Sequence, residues 1–174
     1  GRELERGTHG EVLVRGPNVM AGYLDDALAT AHVMRGGWLH TGDIGFVDED
    51  GRLSIADRSK DLILRGGASI YPSEVESVLT HHPSVREAAV VGKADDYYGE
   101  EVVALIVLRE PIGPEAIERW VRERLAPYKV PRFYAFVESL PRSGSGKILK
   151  RKLRERVASG ELPIEALASN RPTD

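Results

Sequence analysis

The sequence contains no cysteine. That excludes a disulfide framework, a Cys-ligated zinc site and a thiol nucleophile. Methionine is limited to Met20 and Met34, and the chain begins Gly-Arg-Glu-Leu without an initiator Met. The expectation is a processed N-terminus or a piece of a longer protein. No apolar run approaches the ~20 residues that span a bilayer, and no stretch reads as a secretory signal, so a soluble, cytoplasmic protein is expected. Neither sign of charge dominates: 24 Lys and Arg against 27 Asp and Glu leave a net charge of −3. This balance argues against a dedicated nucleic-acid binder. Internal repeats are absent. The five histidines, at positions 9, 32, 40, 81 and 82, show no metal-ligand spacing, and His81-His82 fit the cation-favouring end of a helix.

What is present supports a folded chain. Apolar residues make up 41% of 174 positions, enough for a core. At about 150 residues per domain, the length suggests one domain, or one plus a piece of another. Glu11–Arg15 reads as a strand ended by Gly16-Pro17, and Asp25–Met34 as a helix with Asp25 or Asp26 as its N-cap. Ile44–Val47 and Leu53–Ala56 read as a hairpin around Asp48-Glu-Asp-Gly51. From Asp61 onward the reading is strand (Leu62–Leu64), helix (Pro72 to about His81), strands (Val85–Gly92 and Glu101–Leu108), helix (Pro114 to about Leu125), strand (Phe133–Val137), a Gly/Ser loop, then a basic helix (Ile148–Ala158). Segregated strands and helices of this kind give an α+β class. Residues 1 to about 56 hold too little apolar surface for a core of their own. The tail beyond Gly160 is expected to be poorly ordered.

Five segments can carry chemistry. In Thr41-Gly-Asp43, a carboxylate on a tight Gly turn can accept two hydrogen bonds from the vicinal hydroxyls of a ribose, or can simply cap the turn. Asp57-Arg-Ser-Lys-Asp61 is a solvated connector in which Arg58 can bind a phosphate or ribose oxygen, or an exposed linker with no ligand. Gly66-Gly67 lets a backbone approach a ligand closely, and a turn explains the same residues. In Pro141-Arg-Ser-Gly-Ser-Gly-Lys147-Ile148, a lysine on a mobile Gly/Ser loop can be delivered to an anion. This is not a nucleotide-binding P-loop, because Pro141 stands where that motif needs Gly and Ile148 where it needs Ser or Thr. The basic helix is amphipathic through Leu149, Leu153 and Val157. It reads as the solvated face of a core helix rather than a nucleic-acid patch, since no aromatic residue interleaves its cations.

The order and spacing of these segments carry more than any one of them. Trp-x-x-Thr-Gly-Asp43, Asp57-Arg-Ser-Lys-Asp61, Gly66-Gly-Ala-Ser-Ile-Tyr-Pro-Ser-Glu-Val-Glu76 and Ser143-Gly-Ser-Gly-Lys-Ile148 together resemble the adenylate-forming superfamily. This is the group of acyl- and aryl-CoA synthetases, luciferases and peptide-synthetase adenylation domains. Gly10-Glu-Val-Leu-Val-Arg-Gly-Pro-Asn-Val-Met-Ala-Gly-Tyr23 fits too, and the resemblance runs from about Gly10 to Arg156. It implies an assignment of residues 1–57 to the C-terminal edge of a large adenylation domain. Residues 58–174 become a mobile C-terminal domain with a short antiparallel sheet flanked by helices, hinged near 57–61.

The resemblance also implies roles. Asp43 would hold the ribose hydroxyls of ATP and of the acyl-adenylate, and Arg58 would contact the same ribose and its phosphate. Lys60 would be the hinge. Lys147 would reach the α-phosphate and the carboxylate during adenylation. Gly66 and Gly67 would line the tunnel for the pantetheine arm of CoA. Tyr98 would stack on the CoA adenine, and Lys129 and Arg132 would meet CoA phosphates. ATP and CoA are the implied cofactors, with Mg2+ held in the large domain that this sequence does not contain, and the partner is a small carboxylic acid. Ala68-Ser69 stand where related enzymes often have Glu-Asn, a departure that bears on the tunnel lining. Leu64 replaces the lysine of luciferase-like members, and Leu62-Ile-Leu64 replaces the Gln-Val-Lys run of peptide-synthetase domains. Both departures favour acyl-CoA ligases, with a fatty acid as the first expectation and an aryl acid as the second. Transfer to a carrier-protein thiol, or a fragment that acts only as a binding module, are the alternatives. The 174 residues alone are expected to be inactive.

Overall fold

The computed structural model describes residues 2–167. They divide between Lys60 and Asp61 into two compact units.

The first unit is built on strand β3 (Trp38–Val47), to which β1 (Gly10–Val14), β2 (Met34–Arg35) and β4 (Leu53–Arg58) all pair antiparallel. The residues from Trp38 to Thr41, left unassigned from sequence, are the start of this strand. The hairpin forms where its Asp-Gly chemistry places it. Asp48 donates its N–H to the Arg52 carbonyl at 2.9 Å, and Gly51 donates to the Asp48 carbonyl at 3.0 Å. Helix α1 (Ala27–Val33) is capped by Asp26, whose Oδ1 accepts from the Ala29 N–H at 2.8 Å. Asp25 is instead the residue with a positive φ, 54°. Among the described residues of this unit, no apolar side chain is fully buried; the whole buried core lies in the second unit.

The second unit is organised by a long hairpin of β7 (Val85–Asp95) and β8 (Gly99–Leu108), paired from Val85↔Leu108 to Asp95↔Gly99. Successive side chains of a strand point to opposite faces, and both faces of β8 are buried. Val102, Ala104 and Ile106 join one cluster with Ile63, Val75, Leu79, Ile117 and Val121. Val103, Leu105 and Val107 join a second with Leu140, Leu153, Val157 and Leu162. The first cluster seats α2 (Pro72–Thr80) and α3 (Pro114–Arg122), and the second seats α4 (Lys150–Ala158). The result is three layers, helices on each side of a sheet. This is why Val102–Leu108 reads as a continuous apolar run instead of an alternating one.

The sheet order is β10-β9-β8-β5-β6, with β7 on β8. Here β5 is Ile63–Arg65, β6 Ala68–Ile70, β9 Phe133–Phe136 and β10 Glu165–Ala166. All pairings are antiparallel except β8 with β9. That parallel pair follows from α3, which crosses over between the two strands; a parallel return needs such a connection. The tail does not leave the fold at Gly160: Leu162 is buried, and β10 pairs with β9. Residues 168–174 lie outside the described residues.

One buried charge cluster sits within this core. Glu101 is fully buried at the start of the apolar run on β8. Its Oε2 lies 2.8 Å from Arg65 Nε, an ionic contact too bent for a hydrogen bond. Its Oε1 accepts from Arg65 Nη2 at 3.2 Å and from Arg132 Nη1 at 3.3 Å. Arg65 Nη1 donates to the Tyr128 carbonyl at 2.8 Å. Removing one member of a buried pair leaves the other charge uncompensated, at a cost of about 3–5 kcal/mol. Glu101→Ala should therefore lower the unfolding free energy of the chain by about that amount in urea titrations. A loss below about 1 kcal/mol, the range of an exposed pair, would show that Arg65 and Arg132 find other partners.

Candidate functional site

In the first unit, the sequence places Thr41-Gly42-Asp43 in the middle of β3. Gly42 takes φ +70°, a conformation open to glycine at little cost. The Thr41 hydroxyl donates to the Val12 carbonyl at 2.8 Å and accepts from the Asp43 N–H at 3.0 Å. The Asp43 carboxylate is therefore not spent on capping its own turn. Across the ladder Asp43 faces Arg58, and Asp43 Oδ1 pairs with Arg58 Nε at 2.9 Å. Arg58 is the last residue of β4 rather than part of a free linker. The connector is only the 3-10 turn Ser59–Asp61, which contains exposed Lys60. Both Asp43 and Arg58 remain partly exposed. A carboxylate and a guanidinium side by side match a diol next to a phosphate.

Glu11, to which no role is assigned from the sequence alone, braces this turn. Its Oε1 accepts from the Gly42 N–H at 3.2 Å, and its Oε2 contacts His40 Nδ1 at 2.7 Å. Glu11 stands in the Gly10-Glu-Val-Leu-Val strand, but its partners are 29 and 31 residues away. The hydrogen bond with His40, supported by the His40 charge and the Gly42 N–H, holds the Glu11 carboxyl below its ordinary value against the opposing effect of burial.

In the second unit, Gly66 and Gly67 form a two-residue hairpin turn between β5 and β6, with φ of +55° and +80°. Two left-handed central residues are the signature of a type I′ turn. The turn is pinned from below. The Gly66 N–H donates to the Tyr98 carbonyl at 2.9 Å, and a Cβ on Gly66 would meet the Tyr98 ring at 3.3 Å. A Cβ on Gly67 would meet nothing within 4 Å, so that edge is open. Tyr98 itself is half-buried, with Arg65 Cζ 5.0 Å from its ring centroid. Its neighbour Tyr97, 83% exposed, packs edge-on against the Tyr98 ring, with centroids 4.7 Å apart. Asp95 Oδ1 accepts from the Tyr98 and Tyr97 N–H groups at 2.9 and 3.0 Å. The Tyr98 bond is the main reason its carboxyl sits below the ordinary range.

The cations expected to meet CoA phosphates already have partners. Lys129 Nζ lies 2.7 Å from both oxygens of Glu74, and Arg132 is held by Glu101 and, at 3.5 Å, by Asp95. A phosphate would have to displace a carboxylate to reach either. Three cations of the basic helix also have partners: Lys150 pairs with Glu76 at 2.8 Å, Arg154 with Asp61 at 2.7 Å and Arg156 with Glu161 at 2.7 Å.

Lys147 differs. It is exposed, and no ion-pair partner for its ammonium is found among the described residues. It sits on a hydrogen-bonded turn. Ser143 donates its N–H to the Lys147 carbonyl at 2.8 Å, Gly146 to the Ser143 carbonyl at 2.9 Å, and Leu149 to the Pro141 carbonyl at 2.8 Å. Arg142 and Ile148 bridge as in a short hairpin. The lysine turn and the glycine turn stand at opposite ends of the β7–β8 hairpin. Glu87, near the start of β7, is bonded to Arg142 beside the lysine turn, whereas Asp95 at its end supports Tyr98 and the glycine turn. Glu87 and Asp95 are eight residue steps apart along the strand, about 26 Å at ~3.3 Å per residue.

Comparison with known proteins points to one class: the chain is similar to the C-terminal part of adenylate-forming enzymes. Residues 74–147 match the family described as the AMP-binding enzyme C-terminal domain. The chain is 49% identical over 148 residues to a 2-succinylbenzoate–CoA ligase of Bacillus mycoides, covering 85% of this chain and 31% of that protein. It is also 49% identical over 149 residues to a long-chain-fatty-acid–CoA ligase of Bacillus subtilis, covering 84% and 27%. Among solved structures it matches the o-succinylbenzoate CoA synthetase MenE of Bacillus subtilis in complex with the acyl-adenylate OSB-AMP. That match has a TM-score of 0.82 and 43% identity, over 87% of this chain and 31% of that one. The chain thus spans less than a third of the length of these relatives.

The brace on Gly42 gives a pH test. A carboxyl held below its ordinary value contributes stability that is present above the unfolded value and lost as pH falls through the folded one. The Gly42 amide resonance should therefore titrate with a midpoint below the ordinary value of 4.5, and Glu11→Gln should abolish that titration. A midpoint at or above the ordinary value would remove the bond from the account.

Proposed function

We propose that the chain is the C-terminal part of an ATP-dependent acyl-CoA ligase. An acid and ATP give acyl-AMP and pyrophosphate, and CoA then takes the acyl group as a thioester. The observation that carries this reading is the placement of Lys147 and Gly66-Gly67 at opposite ends of one hairpin. A single reacting carbon cannot meet both at once, so each belongs to one half-reaction and the unit must turn between them, with Lys60 at the pivot. Residues 1–60, without a core of their own, are the edge of the larger domain about which it turns.

In the first half-reaction the carboxylate attacks the α-phosphate. Two anions approach, and charge accumulates on the phosphate oxygens. An unpaired ammonium delivered there favours the transition state over the separated ground state. Asp43 accepts the ribose hydroxyls, and Arg58 holds the ribose and its phosphate. In the second, the lysine withdraws, and the open edge at Gly67 admits the pantetheine arm. Tyr98 lies at the base of that passage and not on its surface. Among the described residues no cluster of three or more His, Asp or Glu is placed to hold a metal ion. A Mg2+ accompanying ATP would take its ligands from the rest of the longer enzyme. The substrate is a small carboxylic acid; similarity to both a succinylbenzoate and a long-chain fatty-acid ligase supports the class without selecting the acid. No helix among the described residues is long and apolar enough to cross a membrane, and the use of ATP and CoA supports a cytoplasmic site.

In the full-length enzyme, Lys147→Ala should lower acid-dependent pyrophosphate exchange by about 10²–10³-fold, the usual effect of removing one transition-state donor. Thioester formation from pre-made acyl-AMP should be retained. Exchange at the wild-type rate would contradict the role given to Lys147.

A further inference from the structure

We propose that Arg142 is a positioning residue for Lys147, acting with Glu87 as a brace that aims the lysine from the sheet. This rests on the reading of Lys147 as the adenylating lysine and adds what holds it in place.

Ser143-Gly-Ser-Gly146 is, by composition, among the most flexible stretches of the chain. Its internal bonds fix its shape: the Lys147 N–H donates to Ser143 Oγ at 3.2 Å, and Ser143 Oγ and Ser145 Oγ are 2.8 Å apart. None of these bonds ties the turn to the sheet. Arg142 does. Its Nη1 donates to the Gly146 carbonyl at 2.6 Å, and its Nη2 donates to Glu87 Oε2 on β7. The Gly146 carbonyl belongs to the same peptide plane as the Lys147 N–H. That plane is therefore held at both edges, by Arg142 on the carbonyl side and Ser143 on the amide side. It is the plane from which the Lys147 side chain departs. Glu87 has a second cation close by, Arg86 Nε at 3.7 Å, whose Nη2 is engaged by the Glu138 carbonyl. Glu87 is thus fixed in front of Arg142.

The planar fork of arginine suits this task, since it reaches two acceptors in fixed directions, while a lysine ammonium is a single point. The Arg142 and Glu87 side chains are partly exposed, and exposed ion pairs add little to stability. The brace is placed where it changes aim more than folding, and a misplacement of about 1 Å in a catalytic group can cost about 10²-fold.

The test uses the full-length enzyme. Arg142→Ala should lower kcat for acid-dependent pyrophosphate exchange by about 10–100-fold. The KM for ATP, the thermal midpoint and thioester formation from pre-made acyl-AMP should stay near wild type. Arg142→Lys should recover part of the loss. Combining Arg142→Ala with Glu87→Ala should cost no more than Arg142→Ala alone, because both remove one brace. Wild-type exchange in Arg142→Ala, alongside a Lys147→Ala enzyme that has lost it, would overturn this inference and leave the function standing. Equal losses in both half-reactions, or a clear fall in the thermal midpoint, would make Arg142 merely structural and also overturn it. If Lys147→Ala itself keeps full exchange, the underlying reading falls and this one with it.

Discussion

The pairing of β7 with β8 is the constraint on which the second unit depends. It keeps one register from Glu87↔Val107 to Asp95↔Gly99, with a single irregularity at Arg86, and both its faces are covered by helices. Because the strands are buried on both sides, they cannot slip by one residue without exchanging the whole set of core side chains between layers. The hairpin is thus a rigid bar with a fixed register. Glu101 stands at one end of its apolar run, where it pairs with Arg65 and, together with Asp95, with Arg132, and so anchors the root of the glycine turn. Glu87 stands near the other end, where it receives Arg142. The same bar that carries the core also fixes two chemically different turns relative to each other.

This arrangement gives a physical reason for a moving unit. Lys147 is an unpaired cation, which suits a step that gathers negative charge. Gly67 offers backbone with open space beside it, which suits the passage of a thin chain. Most other cations nearby are spent: Lys129 on Glu74, Arg132 on Glu101 and Asp95, Lys150 on Glu76. The net charge of the chain is small because its 24 Lys and Arg nearly balance its 27 Asp and Glu, and Lys147 is one of the exposed lysines left without an ion-pair partner among the described residues. In the first unit, Glu11 and Thr41 leave the Asp43 carboxylate facing Arg58, so a carboxylate and a guanidinium are held side by side before any ligand arrives.

Much of this was legible in the sequence where the signal was local. Pro72 and Pro114 opened helices, Asp48–Gly51 closed a hairpin, and the Val-rich runs were strands. The motif order pointed to the adenylate-forming class before any geometry was known. What escaped was set by distant partners. The engagement of Lys129 and Arg132 depends on Glu74 and Glu101, which lie 55 and 31 residues away, so both cations read as free. Glu11 looked like an ordinary strand residue. The Ser143–Gly146 stretch reads as a flexible Gly/Ser loop because its bonds to Lys147 and to the Arg142 side chain are not visible in composition. The parallel strand β9 and the return of Leu162 to the core are tertiary events that no local pattern announces.

The central claim is that the two turns serve separate half-reactions. Its most direct measurement is a Gly67→Asn substitution in the full-length enzyme, with the two half-reactions assayed side by side. Asparagine tolerates the left-handed conformation better than other side chains, and nothing lies within 4 Å of a Cβ there. Pyrophosphate exchange should remain near wild type, while thioester formation from pre-made acyl-AMP falls by at least about tenfold, the equivalent of ~1.4 kcal/mol in the barrier. Equal losses in both half-reactions, or an undiminished rate of thioester formation, would contradict it.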